Sequence, residues 1–160
     1  MKELVVLRHA KSNRAYFVED IHRPLSMEGI ERIKKVSHKK SDFFKKADVI
    51  ISSPANRALH TTIIMMNELN IDFDQLVVDQ DLYTFSSTKV IDYVYALNEQ
   101  WNKVVLVGHN PAFMETINHF SDAGINHLRT AGLAKITFDG DQWSAIYEGE
   151  ILMGQKNNNI

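Results

Sequence analysis

Histidine and arginine side chains follow three short apolar runs of this 160-residue chain. Arg8 and His9 come directly after the first run, Arg57 lies a few residues beyond the second, and His109 follows the last. Arginine presents a planar fork of donors that matches phosphate oxygens, so two arginines can neutralise a phosphoryl group. Imidazole is partly unprotonated near neutral pH and can therefore attack phosphorus. These residue types predict phosphoryl-transfer chemistry.

The two histidines can take different parts in such a reaction. His9 stands beside Arg8, where a backbone carbonyl could hold one ring nitrogen and direct the other at phosphorus. His109 is better suited to stay charged beside the phosphate and to donate to its oxygens as negative charge builds up there. A covalent phosphohistidine divides one difficult substitution into two easier ones. We therefore predict that His9 is the nucleophile, in a reaction that needs no metal ion and no cofactor.

Two prolines indicate that helix N-termini contribute to the phosphate site. Pro54 suits the first turn of a helix, which would place Arg57 near the positive end of the helix dipole. Asn110 can cap a helix whose first residue is Pro111, which leaves free backbone N–H groups beside His109. Asn110 is therefore a candidate substrate-binding residue.

Apolar runs and stretches of helical periodicity alternate along the chain. The runs lack polar alternation, which is typical of parallel strands covered on both faces. They comprise residues 4–7, 49–51, 76–78 and 104–107. Helical spacing connects Leu59, Thr62, Ile63 and Met66, then Val90, Tyr93, Val94 and Leu97, and a weaker helix spans 27–44 with Ser26 as its cap. This order predicts an α/β fold in which helices cover both faces of a mostly parallel sheet.

The end of the chain has the pattern of a hairpin. Residues 134–138 and 143–147 alternate between apolar and polar positions on either side of Asp139-Gly140, which predicts a hairpin at one edge of the sheet.

The length fits one domain, residues 1–160, in which 155–160 form a frayed polar tail. In such sheets ligands bind beyond the carboxyl ends of the strands, where the histidines and arginines stand.

Charge and composition narrow the class of function. The net charge is −2, so no overall positive field favours nucleic acid or an anionic membrane as a partner. The absence of cysteine excludes disulfides, zinc–thiolate sites and a thiol nucleophile. The first apolar run is too short for a signal peptide or a membrane span, so a cytoplasmic location is expected.

Four motifs in this order resemble those of the histidine phosphatase superfamily, and within it the small SixA-type phosphohistidine phosphatases. They are Arg8-His9-Ala10-Lys11-Ser12, then Asp20-Ile21-His22-Arg23-Pro24-Leu25 with Gly29, then Ser52-Ser53-Pro54 with Arg57-Ala58 and Thr61, and finally Gly108-His109-Asn110-Pro111. The resemblance implies a three-layer, phosphoglycerate mutase-like α/β/α fold. It also implies His9 as the nucleophile, Arg8 and Arg57 as phosphate ligands, His109 as the second catalytic histidine and Arg23 as a further phosphate ligand.

The sequence departs from the superfamily where substrate choice is at stake. Members that act on sugar phosphates carry a glutamate acid after the third strand, but residues 79–84 contain none. An alkoxide leaving group benefits from a proton donor, whereas the P–N bond of phosphohistidine is more labile. This favours phosphohistidine on a protein as the substrate, and the short chain leaves little room for a cap over the pocket. Asp20 or Asp81 could still serve as the acid.

Two alternatives stay open on the sequence alone. The chain could be a phosphatase for small phosphate esters, or a module that binds a phosphorylated partner without turnover. Lys11 either attracts an acidic partner or is simply exposed to solvent. The lysines within 34–46 are expected on the solvent-exposed face of a helix. The remaining histidines, His22, His38, His60, His119 and His127, are expected to be structural.

Overall fold

A six-stranded sheet forms the centre of the computed structural model, which describes residues 1–155. The strands are β1 (Lys2–Arg8), β2 (Val49–Ser52), β3 (Leu76–Val78), β4 (Lys103–Gly108), β5 (Leu133–Phe138) and β6 (Glu150–Met153), in the spatial order β3-β2-β4-β1-β5-β6. The first four strands of the chain are parallel to one another, β5 pairs antiparallel with β1, and β6 pairs antiparallel with β5 at the edge of the sheet. The predicted, mostly parallel sheet is confirmed.

Within residues 1–155, five α-helices cover the two faces of this sheet. They are α1 (Met27–Lys39), α2 (Ser41–Phe44), α3 (Asn56–Glu68), α4 (Ser87–Tyr95) and α5 (Ala112–Phe120). Successive side chains of a strand point to opposite faces, so Val5 and Leu7 of β1 pack toward α1, α2 and α3, while Leu4 and Val6 pack toward α4 and α5. The result is the three-layer α/β/α arrangement that the sequence predicts.

Hydrogen bonds at its first turn fix the start of α1. Ser26 accepts a hydrogen bond from the backbone N–H of Gly29, as the predicted cap should. A Cβ atom at Gly29 would lie 2.2 Å from the carbonyl oxygen of Lys11. Only glycine therefore lets α1 approach the segment that leaves β1, which holds that segment at the edge of the sheet where β1 ends.

Several boundaries and faces differ from the sequence predictions. The hairpin partner of β5 is β6 rather than 143–147, which instead holds a 3₁₀ turn at Trp143–Ala145 that buries the Trp143 ring. Strand β3 is an edge strand with Val77 and Val78 exposed, not one covered on both faces. Helix α3 buries Thr61, Thr62, Met65 and Met66, whereas Ile63 faces solvent, so its buried stripe is rotated from the predicted one.

Both proline predictions are wrong by one or two residues. Helix α3 begins at Asn56, so Pro54 precedes it, and Arg57 is its second residue. Helix α5 begins at Ala112, with Pro111 in the capping position. The Asn110 Oδ1 atom nevertheless accepts a hydrogen bond from the N–H of Met114, 3.2 Å away. Asn110 thus satisfies one free donor of the first turn from just outside the helix.

The ends of the chain add two observations. Apart from Gln155, the predicted tail at 155–160 lies outside the described residues, and the assignment of 1–160 to one domain stays a prediction. None of the helices described within residues 1–155 has the length and apolar character needed to cross a membrane.

Candidate active site

The candidate residues meet because three neighbouring parallel strands end together. Strand β4 lies between β1 and β2, and its register places Gly108 beside Arg8 and Val107 beside Ser52. Hydrogen bonds continue one step past the strands: the His9 N–H donates to the Gly108 carbonyl, and the Ser53 N–H donates to the Val107 carbonyl. His9, His109 and Ser53 therefore stand side by side at the carboxyl edge of the sheet.

His9 is held as a neutral imidazole with one nitrogen free to react. Its side chain is almost fully buried, at 6% exposure, and Nδ1 lies 2.7 Å from the Ala10 carbonyl oxygen. That carbonyl can only accept, so Nδ1 carries the proton and Nε2 carries the lone pair. Burial, followed by the charges of Arg57, Arg8 and Arg23, lowers the pKa of His9 to about 4, although the Ala10 carbonyl acts in the opposite direction.

Arg57 uses all three of its side-chain nitrogens inside the site. Its Nε donates to Nε2 of His9 at 3.3 Å, while Nη1 donates to the Asp20 carbonyl at 2.7 Å and Nη2 to the Asp20 carboxylate at 2.9 Å. Thr61, one turn further along α3, donates to the Arg57 carbonyl and accepts from the Ala10 N–H. The helix that carries the arginine is thereby tied to the segment that carries His9.

Asp20 is the carboxylate to which two candidate phosphate ligands are bound. Its Oδ1 atom lies 3.0 Å from Nη1 of Arg23, and its Oδ2 atom accepts from Arg57 and from the Tyr83 hydroxyl. Desolvation acts to raise the pKa of Asp20, but the hydrogen bonds from Tyr83 and Arg57 and the nearby arginine charges lower it overall. Asp20 is therefore ionised in the ligand-free site and is not poised there as an acid. Asp81 is not among the residues that line the pocket.

Arg8 and Asn110 are both anchored to one backbone carbonyl. Nη1 of Arg8 and Nδ2 of Asn110 each donate to the Leu128 carbonyl oxygen at 2.8 Å. Both residues line the pocket, as the sequence predicts. With its Oδ1 on α5 and its amide on Leu128, the Asn110 side chain serves to hold the pocket wall in place.

His109 is buried against the other side of the same space. Its ring centroid is 5.3 Å from that of His9 and 5.5 Å from those of Tyr83 and Phe85. Nε2 lies 2.8 Å from the Ser53 hydroxyl oxygen. Burial, followed by His9 and the Arg57 charge, lowers the pKa of His109 to about 3, so it is neutral in the ligand-free site. The expectation that His109 is charged beside a bound phosphate concerns the site with an anion present and stays a prediction.

These residues form the floor and walls of an open pocket of about 880 Å³. Five cationic side chains line it, namely Arg8, Lys11, Arg14, Arg23 and Arg57, together with two carboxylates, Asp20 and Glu28. Lys11 forms an exposed ion pair with Glu28 at 2.7 Å, so it lies at the rim. The net positive lining suits an anion. Among residues 1–155, no three His, Asp or Glu side chains are arranged as a metal site.

Sequence reasoning missed five residues in or beside the pocket. Ser53 and Thr61 belong to the third motif, but nothing in their type indicates that they hold His109 and the His9 segment. Tyr83 lies within residues 79–84, where only a carboxylate is expected as the acid, so its hydroxyl was not considered. Phe85 and Arg14 lie in loops without any motif. His60, whose helix carries Arg57, does not line the pocket.

Solved structures with the same architecture match almost the whole length of this chain. A protein histidine phosphatase SixA in complex with tungstate is 20% identical, covers 94% of both chains and superposes with a TM-score of 0.78. A candidate phosphohistidine phosphatase SixA from Agrobacterium tumefaciens is 26% identical over 94% of this chain and 97% of that one, with a TM-score of 0.75.

A third solved structure of the same fold is more distant in sequence. A mycobacterial glucosyl-3-phosphoglycerate phosphatase is 13% identical over 96% of this chain and 98% of that one, with a TM-score of 0.70. No protein-family model matches the sequence, and no curated protein does so either. The structural similarities confirm the fold that the four sequence motifs predict.

Proposed function

We propose that this chain, which has the phosphoglycerate mutase-like fold of the histidine phosphatase superfamily, hydrolyses phosphohistidine on a protein through a phosphohistidine on His9. The proposal rests above all on the state of His9. Its Nδ1 is bound to the Ala10 carbonyl, and its Nε2 lone pair stands 3.3 Å from Nε of a buried arginine. A neutral, oriented imidazole beside a fixed cation is what attack on a phosphoryl group requires.

In the first step, the phosphoryl group moves from the substrate imidazole to His9. An incoming phosphoryl oxygen draws the Nε–H of Arg57 away from His9, which frees the Nε2 lone pair at the moment the electrophile arrives. The bond from Nε2 to phosphorus forms while the P–N bond of the substrate breaks. A substrate ring protonated at its other nitrogen departs as neutral imidazole, so the step needs no protein acid.

In the second step, water attacks the phosphorus of phosphorylated His9. The P–N bond breaks, and its electron pair returns to Nε2 of His9. The water oxygen stays bonded to phosphorus, and the water protons leave on the phosphate or pass to solvent. Arg8, Arg23 and Arg57 stabilise the negative charge on the phosphoryl oxygens in both steps. The phosphate dianion also favours protonation of His109, whose low pKa belongs to the site without an anion.

The carboxylates of the pocket support phosphohistidine as the substrate. Asp20 is ionised and bound to arginines, and Glu28 is paired with Lys11 at the rim. Neither is positioned as a protonated acid for an alkoxide leaving group. A labile P–N bond fits such a site better than an ester does. The name of the similar SixA proteins points to the same substrate class.

A phosphatase for small phosphate esters is the second candidate. It is favoured by the similarity to the glucosyl-3-phosphoglycerate phosphatase and by a pocket large enough for a sugar phosphate. A module that binds phosphate without turnover accounts less well for a neutral nucleophile with a free lone pair. A cytoplasmic location, and partners other than nucleic acid or membrane, remain predictions.

The test compares turnover of a histidine-phosphorylated phosphotransfer domain with turnover of sugar phosphates, phosphopeptides and nucleotides, all in the presence of chelator. We expect the highest kcat/KM on the phosphohistidine protein, and inhibition by vanadate. A clear preference for esters would be compatible with the phosphohistidine intermediate on His9 but would make phosphate esters the substrate class. A strict requirement for a divalent metal ion would contradict the mechanism.

A further inference from the structure

We infer that the loop of residues 14–19, here called the mouth loop, is a docking surface for the protein that carries the phosphohistidine. This inference rests on the proposed function and identifies which part of the chain recognises the substrate. Asn13 lines the pocket before the loop, Arg14 lines it as the first residue of the loop, and Asp20 lines it after the loop. The segment between them is therefore anchored at both ends to the entrance of the pocket.

Three consecutive large apolar side chains of this loop face solvent. Tyr16 is 60% exposed, Phe17 is fully exposed and Val18 is 49% exposed. Exposed apolar surface forgoes about 25 cal/mol per Å² of favourable burial, and a phenylalanine offers roughly 150–250 Å². Single exposed apolar residues are ordinary, but a contiguous group at the entrance to a site indicates a contact surface. Phe85, another exposed aromatic residue, lines the same pocket.

The depth of the nucleophile explains why the substrate must touch this loop. His9 is almost fully buried at the carboxyl edge of the sheet, so a phosphorylated side chain must enter the pocket to reach it. The backbone that carries this side chain remains at the entrance, and the neighbouring residues of the partner then meet the mouth loop. A small phosphorylated molecule can occupy the pocket of about 880 Å³ without any contact to Phe17.

Charge at the entrance defines the chemistry of the partner. Arg14 and Lys11 are exposed rim cations, and within the described chain Arg14 has no ion-pair partner. Aromatic residues and arginine are the types most often found to dominate binding at interfaces. The matching partner surface is an apolar strip next to the phosphorylated histidine, bordered by carboxylates that lie against Arg14.

The experiment compares two substrates and two variants in the full chain. The test variant is Y16A/F17A, and the control is F73A, which removes a half-exposed aromatic residue from the turn before β3, at the amino end of that strand and away from the pocket. The substrates are a histidine-phosphorylated phosphotransfer domain and phosphoimidazole. We expect Y16A/F17A to raise KM for the protein about tenfold, with kcat little changed, and to leave phosphoimidazole turnover at the level of the unaltered chain.

The other outcomes separate the two levels of inference. Unchanged KM for the protein, an equal loss on both substrates, or the same loss in F73A would overturn the docking role while the phosphatase remains. Lack of turnover on both substrates in the unaltered chain would overturn the proposed function and the docking role together. Sedimentation with vesicles of anionic and zwitterionic lipid that depends on Tyr16 and Phe17 would assign the loop to a membrane instead.

Discussion

The floor and the mouth of the pocket are built in opposite ways. At the floor, His9, Arg57 and His109 are almost fully buried, and every nitrogen of the Arg57 guanidinium has a partner. At the mouth, Tyr16, Phe17 and Val18 project into solvent. Among the described residues, Nδ1 of His109 and Nε of Arg8 are the floor atoms that lack a partner. The apolar surface of the mouth, by contrast, stays exposed until something covers it. In the proposed function, the floor carries out a reaction that is the same for every phosphoryl group, and the mouth selects among substrates.

The strongest way to break this division is to remove the nucleophile. His9→Ala should lower kcat by about 1000-fold or more and abolish acid-labile, base-stable phosphate on the protein after a brief reaction with a labelled phosphoryl donor. His60→Ala, on the helix that carries Arg57 but outside the pocket, serves as the control and should keep both activities. Label that survives in His9→Ala would refute the role assigned to His9.

Replacement of the buried arginine tests whether the floor acts as a geometric clamp. Arg57→Lys keeps the charge but loses the fork that contacts His9 and Asp20 together, so kcat/KM should fall about 100-fold on the phosphohistidine protein and on phosphoimidazole alike. The equal loss is the diagnostic result, since a mouth residue should affect the protein substrate alone. Near-normal activity in Arg57→Lys would show that charge without geometry suffices.

Neutralising Asp20 should strengthen the binding of anions. Its carboxylate is bound to the same guanidinium groups that a phosphoryl group would use, and it opposes an incoming anion by its charge. Asp20→Asn should therefore lower the inhibition constants of phosphate and vanadate roughly three- to tenfold, a modest effect because the carboxyl is partly exposed. Asp81→Asn, which lies outside the pocket, is the matched control. Weaker anion binding in Asp20→Asn would instead show that the carboxylate mainly positions the arginines.

The smallest expected change is in the pH profile of kcat/KM. With the pKa of His9 near 4, the nucleophile stays neutral well below the usual range of histidine, so the profile should show no fall between about pH 7 and 5. Stability should behave differently. Because the pKa values of His9 and His109 are lower in the folded protein than in the unfolded chain, stability is full above about pH 6.5 and decreases as the pH falls toward 4. A fall in kcat/KM on acidification that is centred near pH 6.5 would contradict this account of His9.

The floor could be predicted from the sequence because its chemistry restricts residue types. Arg8 ends strand β1, while His9, Arg57 and His109 follow strands of the parallel sheet, and the carboxyl ends of such strands meet. What the sequence does not reveal is how the groups are partnered. The sequence offers Asp20 as a candidate acid. Its protonation state depends on Arg23, Arg57 and Tyr83, which come together only in the folded chain.

The apolar periodicity of the sequence predicts the fold, and the wrong predictions lie where that periodicity is ambiguous. The strands of β1, β2 and β4 are apolar throughout, so their burial on both faces was unmistakable. Strand β3 has the same composition, yet as the edge strand it leaves Val77 and Val78 exposed. At the end of the chain, the alternation in 143–147 imitates a strand, but burial of the Trp143 ring stabilises a turn there and moves the hairpin strand to 150–153. The mouth loop has no periodicity from which its exposure could be predicted.

The contact between Arg57 Nε and His9 Nε2 has one further consequence. While this hydrogen bond lasts, the Nε2 lone pair of His9 accepts from Arg57 and is less reactive toward uncharged electrophiles. A phosphoryl group differs from them because its oxygens compete for the same N–H. In the proposed mechanism, this hydrogen bond protects the resting protein, and binding of a phosphoryl group releases the reactivity of His9.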